Sequence, residues 1–434
     1  MGARKPSTVR DLRRGNRAEL LSAIYFDGPV SRHELIRATG LSSASVSNVT
    51  SELIESGAVV EAGAVDSEGG RPRILLRANP ARGCVVGVSV GPRRLLAGAF
   101  DLTLRERSRV TVPLAPGDQR PDEVVRRLLD AVAEVLADAA IDPAAVLGLG
   151  VGVSGVVEHG PDPLVSDQTM GWSRLPLERL LRAGTDLPLF IDNGAKNMGR
   201  AEMWFGAGRG AQQAVIALVS SGVGAAIVTN GVIYQGASSS AGEWGHMKVE
   251  VGGRRCRCGA RGCLEAYVGA EAVVERYHQL AGIRPEPTLD EQALLRQIVA
   301  EAGATGAPNS EVARRVLDET AVYLGVGVAN LINLVNPERI IVGGWAGLLL
   351  GDVLLPQLRE AARENALRTP FGHTTIDLAL LGADAAIVGA ATLPVAEFLR
   401  TGGVAREVSG QAPPPRRAVP AGDGPVSPRT PYPV

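Results

Sequence analysis

The chain has 434 residues, long enough for more than one domain, and its 45 Lys and Arg residues nearly balance its 46 Asp and Glu residues. The resulting net charge of −1 excludes a protein that coats nucleic acid with its whole surface, although it allows a local basic module. No charged and then apolar leader opens the sequence, and no apolar run approaches the roughly 20 residues of a membrane span, so we expect a cytoplasmic protein with no membrane partner. Four cysteines in this length fit a reducing compartment.

Residues 1–80 predict a helix-turn-helix. Apolar residues recur at helical spacing over residues 8–25, with arginines between them, which indicates an amphipathic helix with a basic outer face. Ser31 and Glu34 form a capping box that begins a second, short helix, and Gly40 ends it. A third helix begins near Ser42. Because two short helices joined by a turn with glycine are typical of a helix-turn-helix, we expect this third helix in a DNA major groove.

The exposed face of the third helix and the segment after it supply the predicted DNA contacts. The small polar residues of that face are Ser43, Ser45, Ser47 and Asn48. Two alternating segments then flank GGRPR, and this pattern predicts a β-hairpin wing whose arginines, Arg71 and Arg73, suit a minor groove. A serine-rich face alone also fits plain solvent exposure, so the prediction depends on the combination. With 11 basic and 9 acidic residues in 1–80, one module binds weakly, and specificity requires a dimer or tetramer on double-stranded operator DNA.

The residues after 80 predict an α/β domain with an internal duplication. Apolar runs at 84–90 and 95–102 predict a strand hairpin, followed by a helix over 121–140 and a strand over 146–153. The same order recurs in the strand 214–219, the hairpin 225–234, the helix 310–334 and the strand 339–342. We therefore expect one domain over 81–400. The segment 401–434 is rich in Pro, Gly and Ala and predicts a disordered tail.

The most reactive stretch of the sequence spans residues 242–265. It holds His246, Cys256, Cys258 and Cys263, and two glycines between the last two cysteines give the chain room to turn back. One imidazole and three thiolates are the donors of a closed tetrahedral Zn²⁺ site, which leaves no open position and is therefore structural. Unpaired core thiols and a redox pair are the alternatives.

These motifs resemble those of a known family. The run GE, GH and then CxCGxxGCLE resembles the signature of the ROK family of sugar kinases and sugar-responsive repressors, and NRAELL, SRHEL and GGRPR resemble the winged helix of its repressors. The resemblance implies an α/β fold in which an N-terminal winged helix-turn-helix precedes a duplicated, actin-like, two-lobed domain. It also implies that the residues matching His246 and the three cysteines bind zinc, and that Glu243 and Glu265 hold sugar hydroxyls. Further candidates for the ligand site are Ser154, Gly155, Asn193 and His246.

The chain departs from the kinases of that family at two positions, although the second glycine-rich turn is kept as Ser221-Gly222-Val223-Gly224. Where they carry Asp-x-Gly-Gly-Thr, residues 89–93 read Ser-Val-Gly-Pro-Arg, and proline removes an N–H donor for phosphate. Where they carry Glu-Asn-Asp-Ala-Asn, residues 192–196 read Asp-Asn-Gly-Ala-Lys, so Gly194 stands at the position of the catalytic base. A shifted register that makes Asp192 or Asn197 the base would move Ile191 off its strand face.

The sequence therefore predicts a repressor of sugar or amino-sugar metabolism whose ROK domain has no enzymatic activity. Gly194 removes an anion and Lys196 adds a cation two residues later, so we expect an anionic effector, a 6-phosphosugar and first of all an amino-sugar phosphate, in preference to the free sugar. One alternative is an ATP-dependent ROK sugar kinase with an accessory DNA-binding domain. Another is a constitutive DNA-binding protein with a vestigial pocket.

Overall fold

The computed structural model describes residues 9–67, 70–115, 117–160, 162–284, 290–304, 306 and 308–404. An N-terminal block of three helices and a small sheet comes first. Its elements are α1 (Val9–Asp27), β1 (Val30–Ser31), α2 (Arg32–Thr39), α3 (Ser43–Glu55), β2 (Val59–Ser67) and β3 (Gly70–Ala78). The sheet is antiparallel with strand order β1-β3-β2.

Local sequence signals account for the helix ends in this block. The capping box predicted at the start of α2 is confirmed, because the Ser31 hydroxyl accepts from the Glu34 N–H and the Glu34 carboxylate accepts from the Ser31 N–H. Gly40 ends α2 in the left-handed conformation, with φ 68°. The Ser42 hydroxyl caps α3, whose buried apolar residues face α1 and α2.

A five-stranded sheet forms the centre of the first lobe. The elements of this part of the chain are β4 (Cys84–Val90), β5 (Arg94–Asp101), β6 (Glu106–Pro113), α4 (Pro121–Asp138), β7 (Val146–Val153), β8 (Val156–Glu158), β9 (Leu164–Asp167), β10 (Trp172–Leu175), α5 (Leu177–Arg182), β11 (Leu189–Asn193) and α6 (Gly194–Phe205). The main sheet has order β11-β7-β4-β5-β6, and β8, β9 and β10 form a small antiparallel sheet beside it.

The second lobe is built around another five-stranded sheet. Its elements are β12 (Gln213–Val219), β13 (Val223–Thr229), β14 (Val232–Ile233), α7 (Glu265–Val268), α8 (Ala270–Ala281), α9 (Glu291–Gly303), α10 (Ser310–Val335), β15 (Arg339–Gly343), α11 (Trp345–Asn365), α12 (Arg368–His373), β16 (Thr375–Leu378) and α13 (Ala385–Arg400). The strand order is β14-β13-β12-β15-β16. Short 3₁₀ turns lie at Pro80–Arg82, Pro143–Ala145, Trp244–His246 and Gly382–Asp384.

The two large sheets repeat one topology. In each, the first three strands form an antiparallel meander, and two later strands add in parallel beside the first strand. The last helix, α13, returns to the first lobe and packs across β4 and β7. It approaches closely because Gly150 has no side chain there: a Cβ on Gly150 would lie 1.9 Å from the Ala390 carbonyl oxygen.

The N-terminal block shares a hydrophobic core with the first lobe. Buried residues of α1, including Leu20 and Leu21, belong to one cluster with Phe100 of β5 and Phe398 of α13. Residues 401–404 continue from α13 and lie against α1, where Gly402 O accepts a hydrogen bond from Arg17 Nε. The rest of the predicted tail, 405–434, lies outside the described residues. Across the part of the chain that is described, no helix is both long and apolar enough to cross a membrane.

Candidate functional site

A cavity of about 630 Å³ lies between the two lobes. Its walls are formed by the ends of β4, β7 and β11, by the turns that join β12 to β13 and β15 to α11, and by the loop that carries the 3₁₀ turn Trp244–His246. Of the predicted ligand residues, Ser154, Gly155, Asn193, Glu243, His246 and Glu265 line the cavity. Lys196 does not.

The turn after β7 is held by a buried carboxylate that the sequence did not single out. The Ser154 hydroxyl donates to Asp167, whose other oxygen accepts from the Thr169 N–H at 2.8 Å and the Met170 N–H at 3.1 Å. Gly155 has φ 82°, and a Cβ there would lie 2.3 Å from Ser166 O. The cavity wall at this turn therefore requires glycine, and Asp167 fixes its shape.

Asn193 joins this turn to α6. Its side-chain oxygen accepts from the N–H groups of Ala195 and Lys196, at 2.9 and 3.2 Å, and so caps the helix. Its side-chain nitrogen donates to Gly155 O. Gly194 follows at the cavity wall, where a Cβ would meet nothing closer than Val153 O at 3.5 Å. The position of the kinase base therefore has space for a side chain but carries no functional group.

Lys196 lies away from the cavity, which differs from its predicted contact with an effector phosphate. It is buried, and its ammonium group donates to Gln235 Oε1 at 2.7 Å and to Ser239 O. Burial is the main cause that lowers its pKa. The physical reason for its position is helical geometry, because residues two apart on an α-helix point about 200° apart and Gly194 already faces the cavity.

Asp192 and Asn197, the two residues of the shifted register, are buried beneath the site. Asp192 lies 3.4 Å from His159 Nε2 and 3.5 Å from a guanidinium nitrogen of Arg200. Burial alone would raise the pKa of Asp192, but these two partners outweigh it and lower the pKa. Asn197 is fully buried, and its Nδ2 has no hydrogen-bond partner among the described residues. Neither residue lines the cavity, which supports the register that places Gly194 at the base position.

His246 connects the cavity to the cysteine cluster. Its Nε2 lies 3.9 Å from a carboxylate oxygen of Glu243, and its Nδ1 lies 3.7 Å from Cys256 Sγ. Burial raises the pKa of Glu243 above its ordinary value. His246 thus has a carboxylate near one ring nitrogen and a candidate metal-binding thiol near the other.

The donor atoms of His246, Cys256, Cys258 and Cys263 all lie within 4.8 Å of one another. Ligands about 2.3 Å from a tetrahedral metal lie about 3.8 Å apart, and the Sγ atoms of Cys258 and Cys263 are 3.7 Å apart. The loop reaches this geometry through Gly262, with φ 75°, where a Cβ would lie 1.6 Å from Glu250 O. The cluster can therefore hold a metal ion such as zinc.

Arg257, between two of these cysteines, spans the cleft. Its Nε lies 3.1 Å from Glu265 Oε1, and its terminal nitrogens donate to Thr169 Oγ1 of the first lobe at 3.0 Å and to Ser221 O of the second at 2.6 Å. The other Glu265 oxygen accepts from the Val223 N–H at 2.9 Å. Glu265 thus faces the cavity already paired. The spacing of the cysteines is the only sequence signal near Arg257, and it gives no indication of this contact.

Residues 85–397, most of the chain and all of the cavity wall, match the sequence pattern of the ROK family. The chain belongs to the ROK family. A putative xylose repressor from Caldicellulosiruptor sp. (strain Rt8B.4) is 29% identical over 392 residues, which cover 88% of this chain and 96% of the relative.

Two solved ROK structures match different lengths of the chain. A ROK family transcriptional regulator, described as a homolog of the E. coli MLC protein, matches with TM-score 0.74 at 25% identity and covers 90% of this chain and 98% of its own. A ROK glucokinase from Streptomyces griseus, solved with glucose and AMPPNP, matches with TM-score 0.61 at 28% identity and covers 72% of this chain and 99% of its own. The ROK regulator therefore accounts for a longer part of the chain than the ROK kinase does.

The turn between β4 and β5 and the turn between β12 and β13 also line the cavity. In the turn between β4 and β5 the Gly91 N–H donates to Arg94 O at 3.0 Å, and Pro92 has no N–H. In the turn between β12 and β13 the Ser220 N–H donates to Gly222 O at 2.9 Å, and Glu265 takes the Val223 N–H. The backbone of Gly91, Pro92, Ser220 and Val223 therefore has no free N–H to offer a phosphate.

The predicted DNA-contact residues lie on the N-terminal block. Ser43, Ser47 and Asn48 are exposed on α3, and Arg73 is exposed on β3. Ser45 is half-buried, and its N–H and hydroxyl bond to Ser42 at the start of the helix. The backbone of Arg71 belongs to β3, but its side chain lies outside the described part of the structure, as do residues 68 and 69 at the hairpin tip.

Proposed function

We propose that this chain is a sugar-responsive transcriptional repressor, with a winged helix over 1–80 that binds operator DNA and a two-lobed ROK domain from 81 to about residue 400 that binds the effector. The observation that carries the proposal is the N-terminal block: α2 and α3 joined by a glycine turn, followed by the β2–β3 hairpin. The ROK regulator structure covers 90% of this chain, whereas the ROK glucokinase structure covers 72%. The repeated sheet topology supports the actin-like interpretation of the ROK domain.

The effector that the cavity favours is a neutral sugar. Glu243 is an acceptor for sugar hydroxyls on the cavity wall, beside His246 and Asn193. The prediction of a 6-phosphate rests on Gly194 and Lys196 together, and the Lys196 ammonium group already donates a hydrogen bond to Gln235. The relative named a xylose repressor suggests a pentose as the first candidate, and an amino-sugar phosphate remains the alternative that Gly194 still allows.

We further propose that the metal is a structural Zn²⁺. Three thiolates and one imidazole fill a tetrahedral shell, so the ion stabilises the loop and leaves no position for an activated water. His246 and Arg257 face the cavity from this loop, so its order determines the order of the sugar site. We infer no phosphoryl transfer, because the base position is glycine and Pro92 removes an N–H donor from the first phosphate-binding turn. A homodimer or homotetramer would present two winged helices to paired half-sites.

The DNA-binding assignment is tested by changing the exposed face of α3. Asn48→Ala is expected to lower operator affinity by about tenfold or more while leaving binding to random duplex unchanged, because a bidentate base contact contributes about 1–3 kcal/mol of discrimination. Operator fragments are first selected from genomic DNA by the purified full chain, and affinities are then measured by fluorescence anisotropy over a salt series. Gln297→Ala, an exposed helix position in the second lobe, is the matched control. Equal operator binding by Asn48→Ala and the parent contradicts the assignment.

A further inference from the structure

Two helices run from the cavity to the N-terminal block. At its start α6 carries Asn193, Gly194 and Ala195 on the cavity wall, and at its end it carries Trp204. Its 12 residues span about 18 Å. Likewise α13 begins with Ala385 on the cavity wall and ends with residues that share a core with α1. Both helices therefore connect the effector site with the same distant surface.

The far end of α6 meets α1 through aromatic rings. Trp204 lies edge-on to Phe26, with ring centroids 5.0 Å apart, and 6.1 Å from the ring of Tyr25. Tyr25 and Phe26 are themselves in edge contact at 5.0 Å. Just beyond α6, Arg209 donates to Phe26 O at 2.9 Å. Aromatic pairs prefer such edge-to-face geometry. A shift of α6 along its axis would therefore displace the aromatic rings at the end of α1.

The backbones of α6 and α13 are in contact, so we expect the two helices to move together. A Cβ on Gly389 of α13 would lie 2.2 Å from Asn197 O of α6. At the far end of α13, Phe398 packs with Leu21 in the shared core, and Gly402 O accepts from Arg17 of α1. Closely packed helices transmit a displacement rather than absorb it.

From α1 the contacts continue to α3, which carries the proposed DNA-reading face. Arg13 and Arg17 pair with Glu52 of α3, and Arg17 also donates to Ser56 Oγ at 2.9 Å. The core residues Leu20 and Val46 pack in one cluster between the same helices. A rotation of α1 therefore carries the exposed face of α3 with it.

We propose that the α6–α13 pair transmits effector binding to the DNA-binding block, and that the Trp204–Phe26 contact is where α6 acts on α1. The inference rests on the proposed function and names its route of regulation. Sugar at Asn193 and Glu243 shifts the start of α6, Trp204 moves against Phe26, and α1 reorients α3. Trp204 and Phe26 are positioning residues that contact neither ligand.

The test measures operator affinity and its change on adding sugar, using the full chain with D-xylose and D-glucose as probes. Couplings between sites are typically about 5- to 150-fold, and we expect a response in that range for the parent. Phe26→Leu and Trp204→Leu should each reduce the response to less than about threefold while operator and sugar affinities, measured separately, stay within about threefold of the parent. The double variant should lose no more than either single variant, because both remove one contact.

Phe371→Leu is the control, since Phe371 is also a half-buried aromatic packed on a core, but on α12 in the second lobe. It should retain the parent response. Trp204→Phe should restore most of the response lost in Trp204→Leu, which guards against mistaking misfolding for lost coupling. A full response in Phe26→Leu, or an equal loss in Phe371→Leu, overturns the inference and leaves the proposed function intact. A parent that responds to neither sugar, nor to an amino-sugar phosphate added as a third probe, overturns both.

Discussion

At the scale of single residues, the site differs from a kinase site mainly by what stands at position 194. Asn193 still caps α6 and still lines the cavity, but its neighbour contributes no carboxylate to accept a proton from a sugar hydroxyl. The buried Asp192 is engaged by Arg200 and His159 and cannot replace it. Under the proposed function, the cavity would therefore recognise sugar hydroxyls without a carboxylate at position 194 to activate one.

The Gly194→Asp variant tests whether the missing base alone, or also a missing nucleotide site, prevents phosphoryl transfer. The variant should fold, because a Cβ at this position meets nothing closer than 3.5 Å. We expect no ATP-dependent phosphorylation of D-glucose by either the parent or the variant, since the turn around Pro92 offers no cradle for phosphates. The measurement is ATP consumption coupled to NADH oxidation, with a ROK glucokinase as positive control. Turnover above background in the parent supports the kinase alternative, whereas turnover created only by Gly194→Asp shows that the nucleotide site is intact and the base alone is missing.

The sequence predicted the contacts that form within one loop. It did not indicate contacts between side chains on distant elements. His246 and the three cysteines come together because glycine turns double the loop back, which the spacing already indicated. The position of Lys196 depends on which face of α6 meets the cavity, and that face is set by α13 and the second lobe. Arg257 contacts Thr169, 88 residues earlier in the chain, so no local pattern reveals it.

At the scale of elements, the loop from His246 to Cys263 links the stability of the fold to the order of the cavity wall. It is closed by isolated bridges between Lys248 and Cys263 and between Arg255 and Arg261, and presents Arg257 to the cavity. Lys248 Nζ lies 2.8 Å from Cys263 Sγ, and the hydrogen bond to this thiol raises the pKa of Lys248. A metal ion would add a direct link between the three thiols to these bridges and hydrogen bonds.

Cys258→Ser tests whether the loop depends on a metal. The parent should carry one zinc per chain, and the variant should lose it and unfold at lower temperature, because structural zinc sites contribute about 10 kcal/mol or more of apparent binding free energy. The measurements are inductively coupled plasma mass spectrometry on protein purified without chelators, and thermal unfolding. Cys84→Ser, which changes a half-buried thiol on β4 outside the cluster, should keep the metal. Metal-free parent protein contradicts the zinc assignment.

The elements themselves were largely predictable, because caps and periodicity are local. The capping box at Ser31, the strand 146–153 and the helix from Ser310 appear in the structure close to their predicted limits. The sequence did not indicate that α1 and α13 share a core, since the helices are over 350 residues apart in the chain and each is simply amphipathic or apolar. Packing partners between distant elements follow from the tertiary fold.

At the scale of the whole molecule, the two lobes and the N-terminal block meet at the helices α6 and α13. The lobes enclose the cavity, and the N-terminal block rests on the first lobe through α1, β5 and α13. Ser43, Ser47 and Asn48 of α3 stay exposed. Under the proposed function, a ligand that changes the angle between the lobes would change the surface on which α3 rests, and in an oligomer it would change the spacing of two DNA-reading helices.

If a ligand in the cavity controls DNA binding, sugar must change the affinity of the full chain for its operator. This affinity is measured with and without sugar. We expect D-xylose, or failing that D-glucose, to weaken operator binding by about fivefold or more. Glu243→Gln should bind operator like the parent but need about tenfold more sugar, since hydrogen bonds to charged groups contribute about 1.5–3 kcal/mol. Operator affinity that no sugar or sugar phosphate changes, or a Glu243→Gln variant that responds at the parent's sugar concentration, would contradict the account.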